Sequence, residues 1–256
     1  MNITATKHIT GAKISGSNWQ TLYRVAAAAA LLVVFVGVLD MAIAMSGGDA
    51  RENSTITTLE WFTLFQTRPI FAFSNLGFMN LLYQTLAVPL YLALYYIHRK
   101  GSQAFAALAL ILFCVGIVTY FSTNTVFSVF ALSRQYAAAT TEIQKNALLA
   151  AGDAALALGA DLTPGVFLGF FFSELGGICM ACVLLKDGIF RKVTAWVGIL
   201  GLSCMVVFNS LAAFSPKSFN MALNFATAGG LLSMAYYILL ARRLWQLAQT
   251  AEVEND

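Results

Sequence analysis

Long apolar runs separated by short polar stretches dominate the chain. Six segments approach or exceed the roughly 20 apolar residues that an α-helix needs to cross a bilayer. The predicted spans are residues 22–46, 69–97, 103–132, 165–186, 193–214 and 220–241. Pro89 lies inside the second span, where neighbouring helices can satisfy the backbone group that a proline leaves unpaired. The pattern predicts an all-α, polytopic integral membrane protein whose six transmembrane helices form one bundle.

Composition supports this class. The chain has 256 residues, of which 59% are hydrophobic and only 11% are charged, whereas soluble domains carry about 25% charged residues. This length allows one membrane domain and no separate soluble domain. We expect a flexible cytoplasmic segment over residues 1–17, a membrane domain over residues 18–246 and a cytoplasmic C-terminal tail over residues 247–256.

Basic residues predict the orientation. If both termini are cytoplasmic, ten of the fifteen basic residues lie on the cytoplasmic side, in short loops or next to span ends, and five lie outside. This asymmetry follows the positive-inside rule, which acts most strongly through such short loops. We therefore expect a multi-pass protein of the plasma membrane with both termini in the cytoplasm.

Both long loops fall on the predicted outer side, at residues 47–68 and 133–164. The first contains too many aromatic residues for a free loop, and we expect a short amphipathic helix in it. The second is rich in alanine and predicts one or two short amphipathic helices, broken near Gly152. These loops either cover the outer mouth of the bundle or lie as surface helices among the lipid headgroups.

Polar side chains inside the spans concentrate in the outer half. Glu174 lies near the middle of the fourth span and Asp40 in the outer third of the first. The accompanying amides are Asn75, Asn80, Asn124, Asn209 and Asn224. A carboxylate at membrane depth costs roughly 2.5–3.5 kcal/mol and should face protein or water. These residues predict an outward-facing polar pocket around Glu174, or alternatively hydrogen bonds that only join the helices.

Small residues recur every four positions in the fourth span. Gly169, Ser173, Gly177 and Ala181 form a stripe on one helix face. Such a stripe allows a second helix to approach closely where lipid provides no hydrophobic drive. We predict a helix-packing surface here, formed with the same chain or with a partner.

The usual catalytic signatures are absent from the sequence. Both histidines, His8 and His98, lie outside the predicted spans, which argues against intramembrane haem or zinc ligation. Cys179 and Cys182 form a C-x-x-C pair within a membrane helix, where one pair cannot complete a structural zinc site. There is no P-loop, GxSxG elbow or dinucleotide-binding fingerprint. We predict no catalytic residues, no metal and no cofactor.

Three stretches carry a resemblance to a known family. They are the first span with its long outer loop, the segment from Asn124 through SVFALSRQYAAATTEIQKNALLAAGDAAL, and the fourth-to-fifth pair ending KDGIFRKVTAWVGILGL. Together they resemble a family of bacterial six-helix membrane proteins that is catalogued only as a domain of unknown function. The resemblance implies a single bundle in a bacterial inner membrane, and no functional residues come with it.

The sequence favours binding, and potentially transport, of a small or amphipathic molecule in the pocket around Glu174. A second hypothesis is a non-catalytic accessory or structural subunit of a larger membrane assembly. A third is a membrane enzyme that uses Glu174 and Asp40 as acid and base toward a lipid. The expected partners are membrane lipids, a small-molecule or lipid ligand, and a second copy or another membrane subunit; nucleic acid is not expected.

Overall fold

The computed structural model describes residues 4–46 and 56–253. Over the described chain the protein is 90% helical and has no strand. The helices are α1 (Thr4–Ser46), α2 (Thr58–Thr67), α3 (Pro69–Asn75), α4 (Phe78–His98), α5 (Gln103–Thr123), α6 (Val126–Ala138), α7 (Glu142–Gly159), α8 (Pro164–Asp187), α9 (Lys192–Phe214) and α10 (Phe219–Val253), with a 3-10 turn at Pro216–Ser218 between the last two.

Six helical stretches in the described residues are long and apolar enough to cross a membrane. They are Asn18–Ile43, Phe78–His98, Gln103–Ala138, Glu142–Asp187, Lys192–Phe214 and Phe219–Thr250. Because helices satisfy all their backbone hydrogen bonds internally, such segments are stable in hydrocarbon. The chain is an all-α, polytopic membrane bundle, and the predicted fold class is confirmed.

The spanning helices form a closed ring in chain order. Helix α1 packs against α4, α4 against α5, and α5 against α8. The ring continues from α8 to α9 and from α9 to α10, and α10 packs back against α1. One continuous apolar core, with Leu90, Met180 and Leu240 fully buried, joins the helices of the ring. We call the end with the turns at residues 99–102 and 188–191 the short-loop end, and the opposite end the long-loop end.

Glycine sets the spacing between α5 and α8. A Cβ atom added at Gly176 would lie 2.6 Å from the backbone nitrogen of Phe113, and one added at Gly169 would lie 2.8 Å from the Cα of Tyr120. On the other helix, a Cβ at Gly116 would lie 2.3 Å from the backbone nitrogen of Ser173. The two helix backbones are therefore in direct contact, which maximises van der Waals packing where lipid supplies no hydrophobic drive.

Two predicted spans are interrupted. The second, predicted over 69–97, is divided into α3 and α4 at Gly77, whose φ of 94° lies in the left-handed region that glycine adopts without strain. The third, predicted over 103–132, is divided into α5 and α6 at Asn124 and Thr125. Hydropathy does not reveal these breaks, because apolar residues continue on both sides of each one.

The long loops form a second apolar cluster at the long-loop end. Phe62 and Phe65 of α2 pack with Leu76, Val126 and Val129, and all five side chains are buried. A capping box starts α2, and its backbone N–H group at Thr57 donates to the Glu60 carboxylate, which lowers the pKa of Glu60. The short helices predicted in both loops are therefore present and are packed against one another.

The break predicted near Gly152 is absent, because α7 continues through this residue. A Cβ at Gly152 would lie 2.4 Å from the methyl group of Thr58 and 2.8 Å from the ring of Phe62. Gly152 thus provides room for α2. The hydroxyl of Thr58 also donates a short hydrogen bond to Asp153, which fixes the same pair of helices.

At the termini, the helices are longer than expected. Helix α1 begins at Thr4, within the segment 1–17 that we predicted to be flexible, and α10 extends to Val253, within the predicted tail 247–256. Residues 1–3, 47–55 and 254–256 lie outside the described chain, so those parts of the predicted terminal segments and of the first outer loop are not described.

Candidate functional site

Glu174 lies in the middle of α8 and is buried, with 8% of its surface exposed. The Nδ2 atom of Asn209, on α9, donates a 2.6 Å hydrogen bond to its Oε1 atom. The neighbouring residue Ser173 donates a 3.1 Å hydrogen bond to Oε1 of Gln84, on α4. We call Gln84, Ser173, Glu174 and Asn209 the central cluster. It joins three helices of the ring through polar contacts within the membrane.

Two atoms of the central cluster lack hydrogen-bond partners among the described residues. They are Oε2 of Glu174, an acceptor, and Nε2 of Gln84, a donor, and both are buried. Burying such a group without a partner costs roughly 1–3 kcal/mol. Each atom retains the capacity for one further hydrogen bond, to a ligand group such as a hydroxyl or an amide.

Tyrosines surround Glu174. The side chains of Tyr83, Tyr91 and Tyr237 all lie close enough to interact electrostatically with its carboxyl group. Tyr83 and Tyr237 are hydrogen-bonded to each other, and their ring centroids are 5.6 Å apart. Tyr91 stacks on Phe113 with a centroid distance of 3.7 Å. Aromatic rings and hydroxyl groups therefore lie within electrostatic range of Glu174.

Two cavities are described, and Glu174 lines neither of them. One, of about 520 Å³, lies at the short-loop end beside Tyr96, Arg99 and Arg243. The other, of about 250 Å³, lies between the end of α1 and α3, beside Ile43 and Arg68. Gln84, Glu174 and Asn209 are all buried, so packed side chains cover the central cluster in this conformation.

A second polar cluster is centred on Asp161, which is not among the predicted site residues. Asp161 accepts a 2.7 Å hydrogen bond from Nδ2 of Asn80 and another of 2.7 Å from the hydroxyl of Tyr120. Asn124 donates 3.0 Å to the carbonyl oxygen of Leu76 and accepts from the backbone of Val126 at 3.1 Å. We call this group the Asp161 cluster. It connects the α3–α4 break and the α5–α6 break to the start of α8 through hydrogen bonds.

The local sequence explains the position of Asp161. It precedes Leu162, whose φ of 64° lies in the left-handed region, and Pro164, which occupies the first turn of α8. A proline at this position fits the start of a helix, because the missing N–H group would have no intrahelical partner. The D-L-T-P sequence before the fourth span is the signal for this position, although the predicted loop 133–164 contains it without a predicted role.

The remaining candidates lie apart from Glu174. Asp40 accepts a short hydrogen bond from the hydroxyl of Ser74, which joins α1 to α3. Asn75 donates 2.9 Å to the carbonyl oxygen of Phe71 in its own helix. Asn224 is exposed on α10. The structure therefore brings only Asn209 to Glu174, and groups Asn80 and Asn124 around Asp161.

The small-residue stripe of α8 packs within the same chain. Gly169 and Ser173 face α5, as described above. A Cβ at Gly177 would lie 2.6 Å from a methyl group of Leu202 and 2.6 Å from the hydroxyl of Tyr91. Ala181 is fully buried. The stripe is a packing surface for neighbouring helices of the ring, so it provides no evidence for a partner chain.

At the short-loop end, His98 is buried and forms a polar link that we did not predict. Its Nδ1 atom lies 2.7 Å from Oδ2 of Asp187, and Ser102 donates 3.0 Å to the other carboxylate oxygen. This link ties the α4–α5 turn to the end of α8. No group of three or more His, Cys, Asp or Glu residues suited to a metal occurs in the described chain.

The fold and the clusters define the protein as a six-span membrane bundle with a buried carboxylate at its centre. No protein-family model, no curated protein and no solved structure matches this chain. The resemblance to a bacterial six-helix family consequently stays a prediction.

Proposed function

We propose that this protein binds, and potentially transports, a small or amphipathic molecule bearing a hydroxyl, amide or amine group, with Glu174 as the anchor. The observation that carries this proposal is the pair of unpartnered atoms in the central cluster, Oε2 of Glu174 and Nε2 of Gln84. A ligand hydroxyl, amide or amine can form a hydrogen bond with either atom.

The surroundings suit such a ligand. The aromatic rings of Tyr83, Tyr91 and Tyr237 offer apolar faces to a carbon skeleton, and their hydroxyl groups offer further hydrogen bonds. Because packed side chains close the cluster, binding requires local opening of the ring. In the proposed orientation, the ligand enters from the long-loop end, which faces the outside of a bacterial inner membrane.

The hypothesis of a membrane enzyme that uses Glu174 and Asp40 as acid and base gains no support from their positions. Two carboxylates that act on one bond must flank it within about 10 Å. Here Glu174 binds Asn209 of α9, while Asp40 binds Ser74 of α3. The two acids share no hydrogen-bonding partner and belong to separate clusters.

The accessory-subunit hypothesis loses its main argument, because α8 uses its small-residue stripe within the chain. Contact with lipids is inherent in a six-span bundle. A second copy or a partner subunit would have to bind elsewhere, and no described feature selects that surface.

The proposal is tested by identifying what the protein carries. Wild-type protein is purified in mild detergent and analysed by native mass spectrometry, and the small molecules and lipids extracted from it are identified by mass. We expect a defined bound species in the wild type and at least a tenfold loss of it in Glu174→Gln. This substitution keeps the side-chain size but replaces a carboxyl oxygen by an amide group, and a buried polar group left without its partner costs about 1–3 kcal/mol.

Asp40→Asn is the matched control, since it makes the same chemical change on another span outside the central cluster. It should retain the species. Equal occupancy in wild type and Glu174→Gln, or a wild-type protein that carries no defined species, would overturn the proposal.

A further inference from the structure

The larger cavity, of about 520 Å³, lies at the short-loop end and is unrelated to the central cluster. It is bordered by α1, the end of α4, the α8–α9 turn and α10. Three basic side chains line it, namely Arg99, Lys100 and Arg243, and no acidic residue is among the described residues that line it. A concave site of this size with three positive charges attracts an anion.

Aromatic and backbone contacts hold two of the basic groups in place. The guanidinium carbon of Arg99 lies 3.9 Å from the ring centroid of Tyr96, and Tyr96 is stacked against Trp19 with a centroid distance of 3.4 Å. Nε of Arg243 donates a 2.8 Å hydrogen bond to the carbonyl oxygen of Ile189. Such fixed guanidinium groups lose less conformational freedom when they bind an oxyanion.

Asp187, a described carboxylate at this end of the bundle, is already engaged in hydrogen bonds. Asp187 binds His98 and Ser102, as described above, and it does not line the cavity. Among the described residues, no acidic side chain of the wall neutralises the positive charge of the cavity. Guanidinium and ammonium groups together with a tyrosine hydroxyl, here that of Tyr23, are the donors that bind phosphate.

Apolar side chains complete the wall. Ile97, Ile189 and Leu247 line the cavity beside the charged groups. Arg99 directly follows the spanning helix Phe78–His98, so the cavity lies where the apolar span ends. A ligand that fits must combine a phosphate with an aliphatic portion, which is the chemistry of a phospholipid at the level of its headgroup.

We propose that this cavity is a binding site for a phosphate group, carried by an anionic phospholipid whose headgroup contacts Arg99, Lys100 and Arg243. The site is independent of Glu174 and of any ligand bound there. A free phosphorylated molecule presents the same group without the acyl chains, and the experiment distinguishes these two sources.

The test compares two double variants of equal charge. Arg99→Gln/Lys100→Gln removes two basic groups of the cavity, and Arg191→Gln/Lys192→Gln removes two exposed basic groups from the same end of the bundle that do not line it. Delipidated full-length protein is titrated with dioleoyl phosphatidylglycerol or dioleoyl phosphatidylcholine, and bound lipid is measured by native mass spectrometry. A parallel arm uses glycerol 3-phosphate.

We expect wild type and Arg191→Gln/Lys192→Gln to retain phosphatidylglycerol in preference to phosphatidylcholine. The Arg99→Gln/Lys100→Gln variant should bind it roughly twentyfold more weakly, since each basic group near an anionic lipid contributes about fivefold. If glycerol 3-phosphate binds as tightly as phosphatidylglycerol and loses affinity in the same double variant, that result would support the phosphate site and assign it to a soluble ligand.

An equal loss in both double variants would overturn the proposal, because it would show a general attraction of the basic surface for anions. Equal binding of phosphatidylglycerol and phosphatidylcholine to the wild type would also overturn the proposal. The side chains of Arg99 and Lys100 are exposed, so we expect the Arg99→Gln/Lys100→Gln variant to fold. If it does not fold, the single variant Lys100→Gln replaces it in the test.

Discussion

Gly77 shows how much a single residue contributes to the long-loop end. Its φ of 94° is in the left-handed region, and a Cβ there would lie 2.3 Å from the hydroxyl of Tyr120 and 2.6 Å from a carboxylate oxygen of Asp161. Both the backbone and the surrounding polar groups therefore require glycine. The break between α3 and α4 and the Asp161 cluster depend on each other.

We expect Gly77→Ala to destabilise the protein by about 3 kcal/mol, since it combines left-handed strain with displacement of the cluster. The measurement is unfolding in detergent micelles. Gly188→Ala is the control: φ there is 67°, but no atom lies within 4 Å of the added Cβ. It should cost only about 1–2 kcal/mol of strain. Equal losses for the two variants would contradict the role assigned to the cluster.

The sequence predicts Glu174 as a site residue but does not predict Asp161, and the difference has a physical reason. Glu174 was selected because a carboxylate at mid-membrane is costly wherever it lies. Asp161 was not selected, because it follows an alanine-rich segment that resembled a surface loop. Its partners Asn80 and Tyr120 come from α4 and α5, and only the tertiary packing brings them to it. Depth in the membrane can be predicted from hydropathy, whereas the pairing of polar groups cannot.

At the scale of elements, the contact between α5 and α8 is the closest in the ring. Gly116, Gly169 and Gly176 let the two backbones touch, and a larger residue at any of these sites must move a backbone rather than a flexible side chain. The sequence predicted the stripe on α8 but not its partner helix. Small residues indicate that a close approach occurs without indicating which helix approaches.

We predict that Gly176→Ala lowers the free energy of unfolding by about 1–3 kcal/mol, the usual cost of overpacking. Gly230→Ala is the matched control, because it also lies within a helix and the added Cβ meets nothing within 4 Å. That substitution should be neutral or stabilising by up to about 1 kcal/mol, since alanine is the better helix former. Thermal unfolding of both variants in one detergent tests the difference, and destabilisation by Gly230→Ala would contradict it.

For the whole molecule, the spans could be predicted from the sequence because hydrocarbon leaves the backbone few alternatives to a helix. Their orientation rests on the basic residues, which are more numerous at the short-loop end. The two ends also differ in structure: one carries tight turns, and the other carries α2, α3, α6 and α7. These differences make the orientation accessible to chemical labelling.

We expect the short-loop end to face the cytoplasm. In a variant with Cys114, Cys179, Cys182 and Cys204 replaced by serine, a cysteine introduced by Lys145→Cys should react with a membrane-impermeant maleimide in intact spheroplasts. The cysteines of Lys100→Cys and Lys192→Cys should react only after permeabilisation. The reverse pattern would invert the assignment, and with it the side from which the proposed ligand enters.

The closed order of the ring has a consequence for biogenesis. The buried alanine face of α1, at Ala26, Ala27 and Ala30, is covered by α4 and α10, which are the second and last spanning helices to be synthesised. A nascent chain that has inserted only five spans lacks α10, so the part of that face that α10 covers has no protein partner. The contacts of α10 with α1 and α9 form only when the last span inserts, and the ring cannot close before that step.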